Sequence, residues 1–459
     1  MHRTALHWFR RDLRLADNAA LSDACGRAHG VACLFAQPAA GPHTPGPASR
    51  AWLACSLRAL STDLRSRGAT LALRDAPPTE ALVAAVGECG ASLVTCTRDW
   101  SPLGLAEERK LAAILAPLGV EFAVAEAQLL VTPAAVQTEA GGDFRVFTPY
   151  WRRWEHSWGT ECGLPAPRRI RPPDLPLDPG SPPTDAGPNA FWTPGETGAQ
   201  ARLARFVADA LAGYETARDR PDLRGTSELS PHLTWGEISP HTVAEAVGPH
   251  LGAASYLRQL AWRDFAYQVA HANPAVLDEP LRPQFSAMAW RDAPADLDAW
   301  RTACTGYPLV DAGMRQLAQT GWMHNRVRLV AASLLTKHLL VRWQDGAQVF
   351  ASQLADFDGV LNAFNWQWVA GSGADAAPYF RVFNPSLQGA RFDPEGDYVR
   401  RWVPELAGLP PAWIHRPWAA PPQVLADAGV RIGDTYPAPI IDHAHGRARA
   451  LAAFAALRA

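Results

Sequence analysis

Apolar runs alternate with amphipathic segments over the first 130 residues of the chain. Runs of strand length occupy residues 5–9, 30–36, 69–75, 92–98 and 120–126. Helix-like stretches separate several of them, at residues 49–67, 79–89 and 103–116. Strands that alternate with helices of this length usually form one parallel sheet, so we predict a Rossmann-like α/β domain over residues 1–128. The GxGxxG fingerprint of dinucleotide binding does not follow the first strand; the sequence there is WFRRDLRLADN (residues 8–18).

The pattern becomes helical from residue 199 onward, with apolar residues at three- and four-residue spacing. The periodic segments are RLARFVADALAGY, AWRDFAYQVAHA, PLVDAGMRQLAQTGW, NRVRLVAASLLTKHLLVRW and AQVFASQLADF. Residues 163–198 instead hold many prolines together with Gly, Asp and Thr, a composition typical of a surface linker. We therefore predict a Pro-rich connector over residues 129–198 and an all-α domain over residues 199–459.

Composition limits the classes of function. With 459 residues, of which 48% are apolar, the chain is long enough for two or three domains. The formal net charge is −2, so DNA binding would require a local patch of arginines. Seven scattered cysteines without a CxxC pair argue against a disulfide framework, a zinc site or an iron–sulfur cluster, and favour a reducing compartment.

The N-terminal residues and the long apolar stretches indicate in which compartment the protein is found. No apolar run follows the N-terminal arginines, so we expect no signal peptide. Charged residues interrupt every long apolar stretch, as Lys337 and Arg342 do in LLTKHLLVRW, so we expect no membrane span. We expect a cytoplasmic protein without a membrane partner.

The segment NWQWVAGSGADAAPYFRVFNP, residues 365–385, is the most informative in the chain. Trp366 and Trp368 precede a run of small residues, and Tyr379-Phe380 and Arg381 follow it. Large π systems, amides and small residues suit a flat polar aromatic ligand. A Trp-rich core helix explains the same residues equally well.

Two further motifs carry polar groups with alternative explanations. In GTSELSPHLTWGEIS, residues 225–239, hydroxyl groups precede Pro231, and we expect Ser230 to be the N-cap of a helix. Such a helix start is either simply well capped or able to hold a pyrophosphate. In LADFDG, residues 354–359, Asp356 and Asp358 would ordinarily be read as a solvated loop.

These motifs, together with TRDWSP at residues 97–102, resemble those of the DNA photolyase/cryptochrome family, most closely class I cyclobutane pyrimidine dimer photolyases. The resemblance covers essentially the whole chain. It implies an N-terminal antenna-binding domain and an all-α C-terminal FAD-binding domain. The implied FAD-binding residues are Tyr214, Thr226, Ser227, Glu228, Leu229, Ser230, Arg263, Arg328, Asp356, Asp358 and Asn362. Arg263 and Arg328 are the cations that would compensate the two aspartates near a reduced, anionic flavin.

The resemblance also assigns redox roles. Trp366, Trp343 and Trp290 match the three tryptophans through which the family photoreduces its flavin. Asn362 matches the residue that photolyases place opposite flavin N5, where plant cryptochromes typically have Asp and animal cryptochromes Cys. Asn362 therefore favours repair over signalling.

The substrate side follows from the same resemblance. Trp262 and Trp368 would flank the two bases of a flipped dimer, and Asn325 would hydrogen-bond a base edge. The arginines Arg218 and Arg326, with Gln388, would contact DNA without reading its sequence.

Gln259 is a departure, because cyclobutane-dimer photolyases normally have Glu at this position. Gln is usual in the (6-4) class, but that class has a His-His pair where this chain has Met323-His324-Asn325. We expect cyclobutane dimers to be the substrate and Gln259 to lower the repair yield per photon.

The implied function is light-driven repair of cyclobutane pyrimidine dimers in UV-damaged DNA, with FAD active as the reduced anion. The alternatives are a (6-4) photolyase, a cryptochrome-type photoreceptor and a flavin-dependent electron-transfer protein without a DNA role. We expect the chain to end in an amphipathic helix and not in the C-terminal extension typical of such photoreceptors. We expect a monomer with no obligate protein partner and no metal, since no cluster has ligand spacing. The residues leave open whether the antenna pocket holds a folate, a deazaflavin, another flavin or nothing.

Overall fold

The computed structural model describes residues 1–37, 41, 43–159, 163–180, 191–248, 250–376 and 381–457. Tyr379 and Phe380, two aromatic residues of the 365–385 motif, lie outside the described residues. The chain divides into two compact units. The first contains Met1–Ala212, Ser227–Pro274 and Ala355–Val360, and the second contains Gly213–Thr226, Ala275–Leu354 and Leu361–Ala459.

A five-stranded parallel sheet forms the centre of the N-terminal part of the first unit. The strands are β1 (His2–Phe9), β2 (Ala28–Ala36), β3 (Leu71–Arg74), β4 (Leu93–Thr97) and β5 (Glu121–Ala125). Their order is β3-β2-β1-β4-β5, which places β1 in the middle. All five predicted strands and the parallel α/β arrangement are confirmed. The strands β1, β2 and β4 are almost wholly buried because both faces of a parallel sheet are covered.

Four helices accompany this sheet along the chain. They are α1 (Ala19–Arg27), α2 (Pro47–Ser66), α3 (Pro78–Cys89) and α4 (Pro102–Leu115). The last three match the predicted stretches closely, whereas α1 was not among them. It has 9 residues, and its start is set by Asn18, whose side-chain oxygen accepts the Leu21 N–H at 3.0 Å.

The remaining described helices confirm the expected helical C-terminal part, apart from the first of them, which lies in the predicted connector. They are α5 (Phe147–Trp154), α6 (Glu196–Asp209), α7 (Tyr214–Ala217), α8 (Ser230–Trp235), α9 (Pro240–Val247), α10 (Ala253–Ala272), α11 (Pro294–Arg301), α12 (Pro308–Thr320), α13 (Asn325–Ser333), α14 (Trp343–Gln353), α15 (Gly359–Ala370), α16 (Pro385–Phe392), α17 (Asp397–Trp402), α18 (Pro411–Ile414), α19 (Pro422–Asp427) and α20 (His443–Ala456).

The periodic segment at residues 325–343 is not one continuous helix. After α13 the chain forms a π-helical turn, Leu334–His338, and α14 begins only at Trp343. The Leu339 N–H donates to the Leu334 carbonyl at 3.0 Å, and Leu340 has a positive φ of 52°. Residues 334–341 are buried on every side, so an apolar pattern cannot mark where the helical winding changes.

The connector contains a helix that its composition did not predict. Residues 163–180 have neither helix nor strand, as expected from their prolines. Earlier in the connector, α5 buries Phe147, Tyr150 and Trp154, which are spaced three and four residues apart. The domain limits at residues 128 and 198 stay predictions.

Asp264 on α10 holds the connector in place within the first unit. Its Oδ2 accepts the Trp154 indole N–H and the Val131 backbone N–H, both at 2.9 Å. Burial raises the pKa of Asp264, whereas Arg263 and these donors lower it. The effect of burial is larger, so the pKa is raised to about 6. The carboxylate is only 1% exposed, so its charge is costly to maintain there.

We expect Asp264→Asn to reduce the pH dependence of stability. The folded-state pKa of about 6 lies above the ordinary 3.8, so the stability that protonation confers is present below pH 3.8 and is lost as pH rises through 6. The amide keeps an oxygen for both donors and carries no charge. Relative to wild type, the variant should gain up to about 3 kcal/mol between these pH values. Thermal melting of both proteins across this range measures the difference, and parallel curves would contradict the assignment.

Candidate active site

The predicted site residues are distributed over both compact units. The first unit contains Ser227, Glu228, Leu229, Ser230, Gln259, Trp262, Arg263, Asp356 and Asp358. The second contains Tyr214, Arg218, Thr226, Trp290, Asn325, Arg326, Arg328, Trp343, Asn362, Trp366, Trp368 and Gln388.

The hydroxyl-rich loop before α8 differs in detail from the prediction. Ser230 is the first residue of α8 and Leu229 is its N-cap, so the expectation that Ser230 caps the helix is wrong by one residue. The reason lies upstream, where Ser227 Oγ accepts the Leu229 N–H at 3.3 Å and the Tyr256 hydroxyl at 2.9 Å. Glu228 between them has a positive φ of 53°. Pro231 occupies the first turn, as predicted.

The carboxylate of Glu228 is turned towards α6. It forms ion pairs with Arg202 and, at 3.2 Å, with Arg205. A carboxylate beside a diphosphate would repel it, and these two guanidinium groups offset that charge. This side chain is therefore placed to hold the shape of the loop.

Asp358 lies in a fully formed set of hydrogen bonds and is only 3% exposed. Its Oδ2 accepts the Tyr267 hydroxyl at 2.5 Å and lies 3.3 Å from Arg11 Nη1. Its Oδ1 accepts the N–H of Val360, the second residue of α15, at 3.0 Å. Asp358 therefore caps the start of the helix that carries Asn362.

Arg11 is a site residue that the sequence analysis missed. Arg263 was named as a compensating cation, but it pairs with Asp264 at 3.7 Å and donates to the Gln128 carbonyl at 2.9 Å. Arg11 lies two residues after the end of β1, and the carboxyl end of a parallel strand is where α/β sheets commonly place functional side chains. The position of Arg11 near the carboxyl end of a predicted strand was the sequence signal that could have identified it.

A glycine permits the close approach of Arg11. Gly236 ends α8 with a φ of +65°, and a Cβ atom there would lie 1.9 Å from the Arg11 carbonyl oxygen. Leu13 N–H donates to the Trp235 carbonyl at 3.1 Å, and Arg14 Nη1 donates to the Gly236 carbonyl at 3.0 Å. Any larger residue at position 236 would push the chain after β1 away from α8.

The electrostatics of Arg11 follow from its two acidic neighbours. Burial alone would lower its pKa, but Asp358, Tyr267 and Asp99 outweigh burial and raise it. Asp99 Oδ2 lies 3.7 Å from Arg11 Nε. Burial alone would raise the pKa of Asp99, but Arg11 and Arg10 outweigh burial and lower it. One half-buried guanidinium thus interacts with two carboxylates, of which Asp358 is buried and Asp99 is half-buried.

Two further residues of the first unit have defined surroundings. The Asp356 backbone carbonyl accepts the Thr234 hydroxyl at 3.3 Å, and the residue is 8% exposed. Gln259 is half-buried on α10, three residues before Trp262, and its Nε2 donates to the Ser255 carbonyl at 3.3 Å. The amide therefore still has a second N–H that can donate to a ligand.

In the second unit, Asn362 has a fixed orientation. Its Nδ2 donates to the Ala347 carbonyl at 3.0 Å, which couples α15 to α14. Trp366, one turn further along α15, packs edge-on against Phe350 at 5.0 Å and Trp300 at 6.0 Å between ring centroids. Trp300 was not predicted, and nothing in its sequence context marks it.

The three tryptophans of the predicted electron path differ in burial. Trp366 and Trp343 are each 2% exposed, whereas Trp290 is half-buried against the cluster that contains Phe285 and Leu340. This gradient suits a path from the interior to solvent. Among the ring contacts of the described residues, none joins these three to one another, so the path stays a prediction.

The predicted DNA-contacting residues of the second unit include a positioned arginine. Arg326 Nη2 pairs with Asp219 at 2.8 Å, and its guanidinium lies 4.6 Å from the Phe392 ring centroid. Asn325 is exposed at the start of α13, and Arg218 lies 6.0 Å from the Tyr214 ring. Trp368 and Gln388 are half-buried. Arg328 Nε donates to the Met323 carbonyl at 2.8 Å.

His324 is a cap and is not charged near neutral pH. Its Nδ1 accepts the Arg326 N–H at 3.2 Å, so Nε2 carries the proton in the neutral ring. Burial lowers the pKa of His324 to about 4. The imidazole is therefore a poor proton donor at pH 7.

The described ranges contain neither a candidate metal site nor a candidate membrane-spanning helix. No group of three or more His, Cys, Asp and Glu side chains there could hold a metal ion. None of the helices in those ranges combines the length and apolar character needed to span a bilayer.

Arg11→Gln should destabilise the protein by up to about 3 kcal/mol, because it removes the cation beside the buried carboxylate of Asp358 and the half-buried carboxylate of Asp99. Arg11→Gln with Asp358→Asn should recover part of that loss, since one of those charges is then removed. Thermal melting and the FAD retained per chain measure both effects. Arg3→Gln is the control, because Arg3 and Asp174 are 82% and 69% exposed and their ion pair should contribute about 1 kcal/mol or less. An Arg11 variant as mild as the control would contradict the role of Arg11.

Comparisons with known proteins agree with this architecture. The family model described as the FAD binding domain of DNA photolyase matches residues 256–456, and the model described as DNA photolyase matches residues 5–170. A deoxyribodipyrimidine photo-lyase from Agrobacterium fabrum is 43% identical over 98% of this chain and 97% of its own length. Cryptochrome-1 from Arabidopsis thaliana is 35% identical over 96% of this chain and 69% of its own length.

A solved structure is similar over the whole chain. The bacterial class III photolyase from Agrobacterium tumefaciens superposes with a TM-score of 0.95 at 42% identity, covering 100% of this chain and 98% of its own. The α/β part and the helical FAD-binding part are thus both shared with a photolyase. The chain belongs to the DNA photolyase family and carries the FAD-binding domain of that family.

Proposed function

We propose that this protein repairs cyclobutane pyrimidine dimers in DNA in a light-driven reaction. The observation that carries the proposal is that the side-chain amide of Asn362 is oriented by its hydrogen bond to the Ala347 carbonyl at 3.0 Å. By the family resemblance, this residue would lie opposite flavin N5. The 43% identity to a relative named deoxyribodipyrimidine photo-lyase, over 98% of the chain, supports the same activity.

The donor groups of the proposed cofactor residues fit FAD. Hydroxyls and backbone N–H groups of residues 226–230 suit a diphosphate, and the carboxylates Asp356 and Asp358 suit the N–H and hydroxyl donors of a flavin and a ribose. The proposed set is Tyr214, Thr226, Ser227, Glu228, Leu229, Ser230, Arg263, Arg328, Asp356, Asp358 and Asn362. When bound and reduced, FAD would supply the electron that starts the reaction on excitation.

Asn362 distinguishes repair from a cryptochrome-type function. An amide has both a donor and an acceptor, so it can face a flavin in more than one protonation state without adding charge. An aspartate at this position would place a negative charge beside a reduced, anionic flavin. Asn362 therefore favours the reduced anion that repair requires.

The substrate would be held by aromatic and polar side chains. Trp262 and Trp368 are each partly exposed and offer flat surfaces to extruded bases. Arg326, which Asp219 and Phe392 hold in position, suits a phosphate contact. Asn325, Gln259, Arg218 and Gln388 complete the proposed set.

His324 favours cyclobutane dimers over (6-4) photoproducts. The (6-4) reaction, as the family resemblance describes it, relies on a histidine that donates a proton. The pKa of His324 is lowered to about 4 by burial, and its Nδ1 is committed to the start of α13. This histidine is poorly suited to that task.

Similarity also bears on the class within the family. The solved structure with a TM-score of 0.95 is titled a class III photolyase. It supports placing this chain in class III, whereas the sequence motifs had suggested class I.

A repair assay tests the proposal directly. Photoreduced protein is mixed under anaerobic conditions with oligonucleotides that carry either one thymine cyclobutane dimer or one (6-4) photoproduct, and is then lit with blue light. We expect loss of the cyclobutane dimer only, in the light only. Loss of the (6-4) product alone would establish the other substrate. Flavin photochemistry without loss of either lesion would favour a photoreceptor.

Gln259→Glu should raise the number of dimers repaired per absorbed photon. A protonated carboxyl donates a hydrogen bond to a base carbonyl that is stronger than that of an amide by about 1 kcal/mol, which corresponds to about a fivefold change in a rate. The quantum yield on the thymine-dimer oligonucleotide measures this effect. Gln259→Leu is the control, which should lower the yield. An unchanged or lower yield for the Glu variant would show that Gln259 is not a handicap.

A further inference from the structure

Trp262 is stacked on an aromatic ring that comes from the connector. The ring of Phe147 on α5 lies parallel to the indole, with ring centroids 3.7 Å apart and an interplanar angle of 8°. Parallel contact over the ring faces restricts the tilt of both rings. The ring of Phe265 packs edge-on against both of these rings, with a distance of 5.8 Å between centroids in each case.

The two stacked rings differ in burial. Phe147 is 1% exposed, whereas Trp262 is half-buried on α10. The buried ring therefore supports the indole from inside, and part of the indole remains accessible. This is the arrangement expected of a binding surface whose orientation is set before the ligand arrives.

Phe147 itself is held at several points. The guanidinium of Arg258, one turn before Trp262 on α10, lies 5.2 Å from the Phe147 ring. At the other end of α5, the Trp154 indole donates to Asp264 at 2.9 Å. Helix α10 supplies Arg258, Trp262 and Asp264. It therefore contacts α5 at both ends, at Phe147 and at Trp154.

We propose that Phe147 is a positioning residue for the substrate, which fixes the plane of the Trp262 indole so that an extruded pyrimidine dimer meets a preset stacking surface. This role rests on the proposed function. Base stacking on an aromatic ring depends on the orientation of that ring, and a ring that must be ordered on binding costs affinity. The connector thereby becomes part of the substrate site.

The test compares two leucine variants of α5. Phe147→Leu removes the ring stacked on Trp262, and Tyr150→Leu removes a ring equally buried, at 1% exposure, whose contacts are with Phe144, Phe147 and Phe265. Binding of reduced protein, in the dark, is measured to an oligonucleotide with one thymine dimer and to the undamaged oligonucleotide. Bound FAD and the melting temperature are recorded for each variant.

Phe147→Leu should raise the Kd for the dimer oligonucleotide about three- to tenfold and leave the Kd for undamaged DNA unchanged. Tyr150→Leu should change neither. Phe147→Trp should keep the wild-type affinity, because it retains a ring for stacking. In a Trp262→Leu background, Phe147→Leu should have no further effect. If Phe147→Leu does not fold, Phe147→Met supplies the same comparison with an unbranched side chain.

Two outcomes separate this role from the proposed function. Wild-type protein that does not prefer the dimer oligonucleotide would overturn the proposed function, and this role with it. If wild-type protein prefers the dimer, two results would overturn the role of Phe147 alone. Either Phe147→Leu changes the Kd for the dimer oligonucleotide no more than Tyr150→Leu does, or its effect on that Kd adds to the effect of Trp262→Leu.

Discussion

The ion pair between Arg11 and the buried Asp358 determines much of the geometry of the first unit. The half-buried guanidinium of Arg11 lies beside two carboxylates, those of Asp358 and of the half-buried Asp99. An unpaired charge on the buried Asp358 would be unfavourable, so the chain after β1 and the loop before α15 are held together. Asp358 also caps the helix that carries Asn362 and Trp366. The loop after β1 thus helps to set where a helix of the proposed flavin site begins.

Helix α10 links this ion pair to the proposed substrate residues. Tyr267 donates to Asp358, Asp264 receives the Trp154 indole from the connector, and Trp262 stacks on Phe147. These residues occur within two helical turns, so a shift of α10 would disturb the carboxylate, the connector and the stacking surface together. The polar groups on a single helix therefore couple cofactor geometry to substrate geometry in the first unit.

The sequence predicted the sheet well because each strand of a parallel sheet is a short apolar run between helices. It predicted the family from motifs such as residues 225–239 and 365–385. It missed Arg11 because the partner, Asp358, is 347 residues away in the chain. It missed α5 because proline-rich neighbours obscured the three- and four-residue spacing of three aromatic residues. It could not locate the π-helical turn after α13, since a segment buried on every side has no periodic face.

Under the proposed function, an electron passes from the excited, reduced flavin to the dimer and returns to the flavin once the dimer has split, so that repair would cause no net oxidation of the cofactor. A series of single blue flashes on anaerobic, photoreduced protein with thymine-dimer DNA tests it most directly. Dimer loss and flavin absorbance are measured after every flash. The account predicts that dimers disappear while the absorbance of the reduced flavin returns to its starting value. Oxidation of one flavin per dimer lost, or flavin oxidation with no dimer lost, would contradict it.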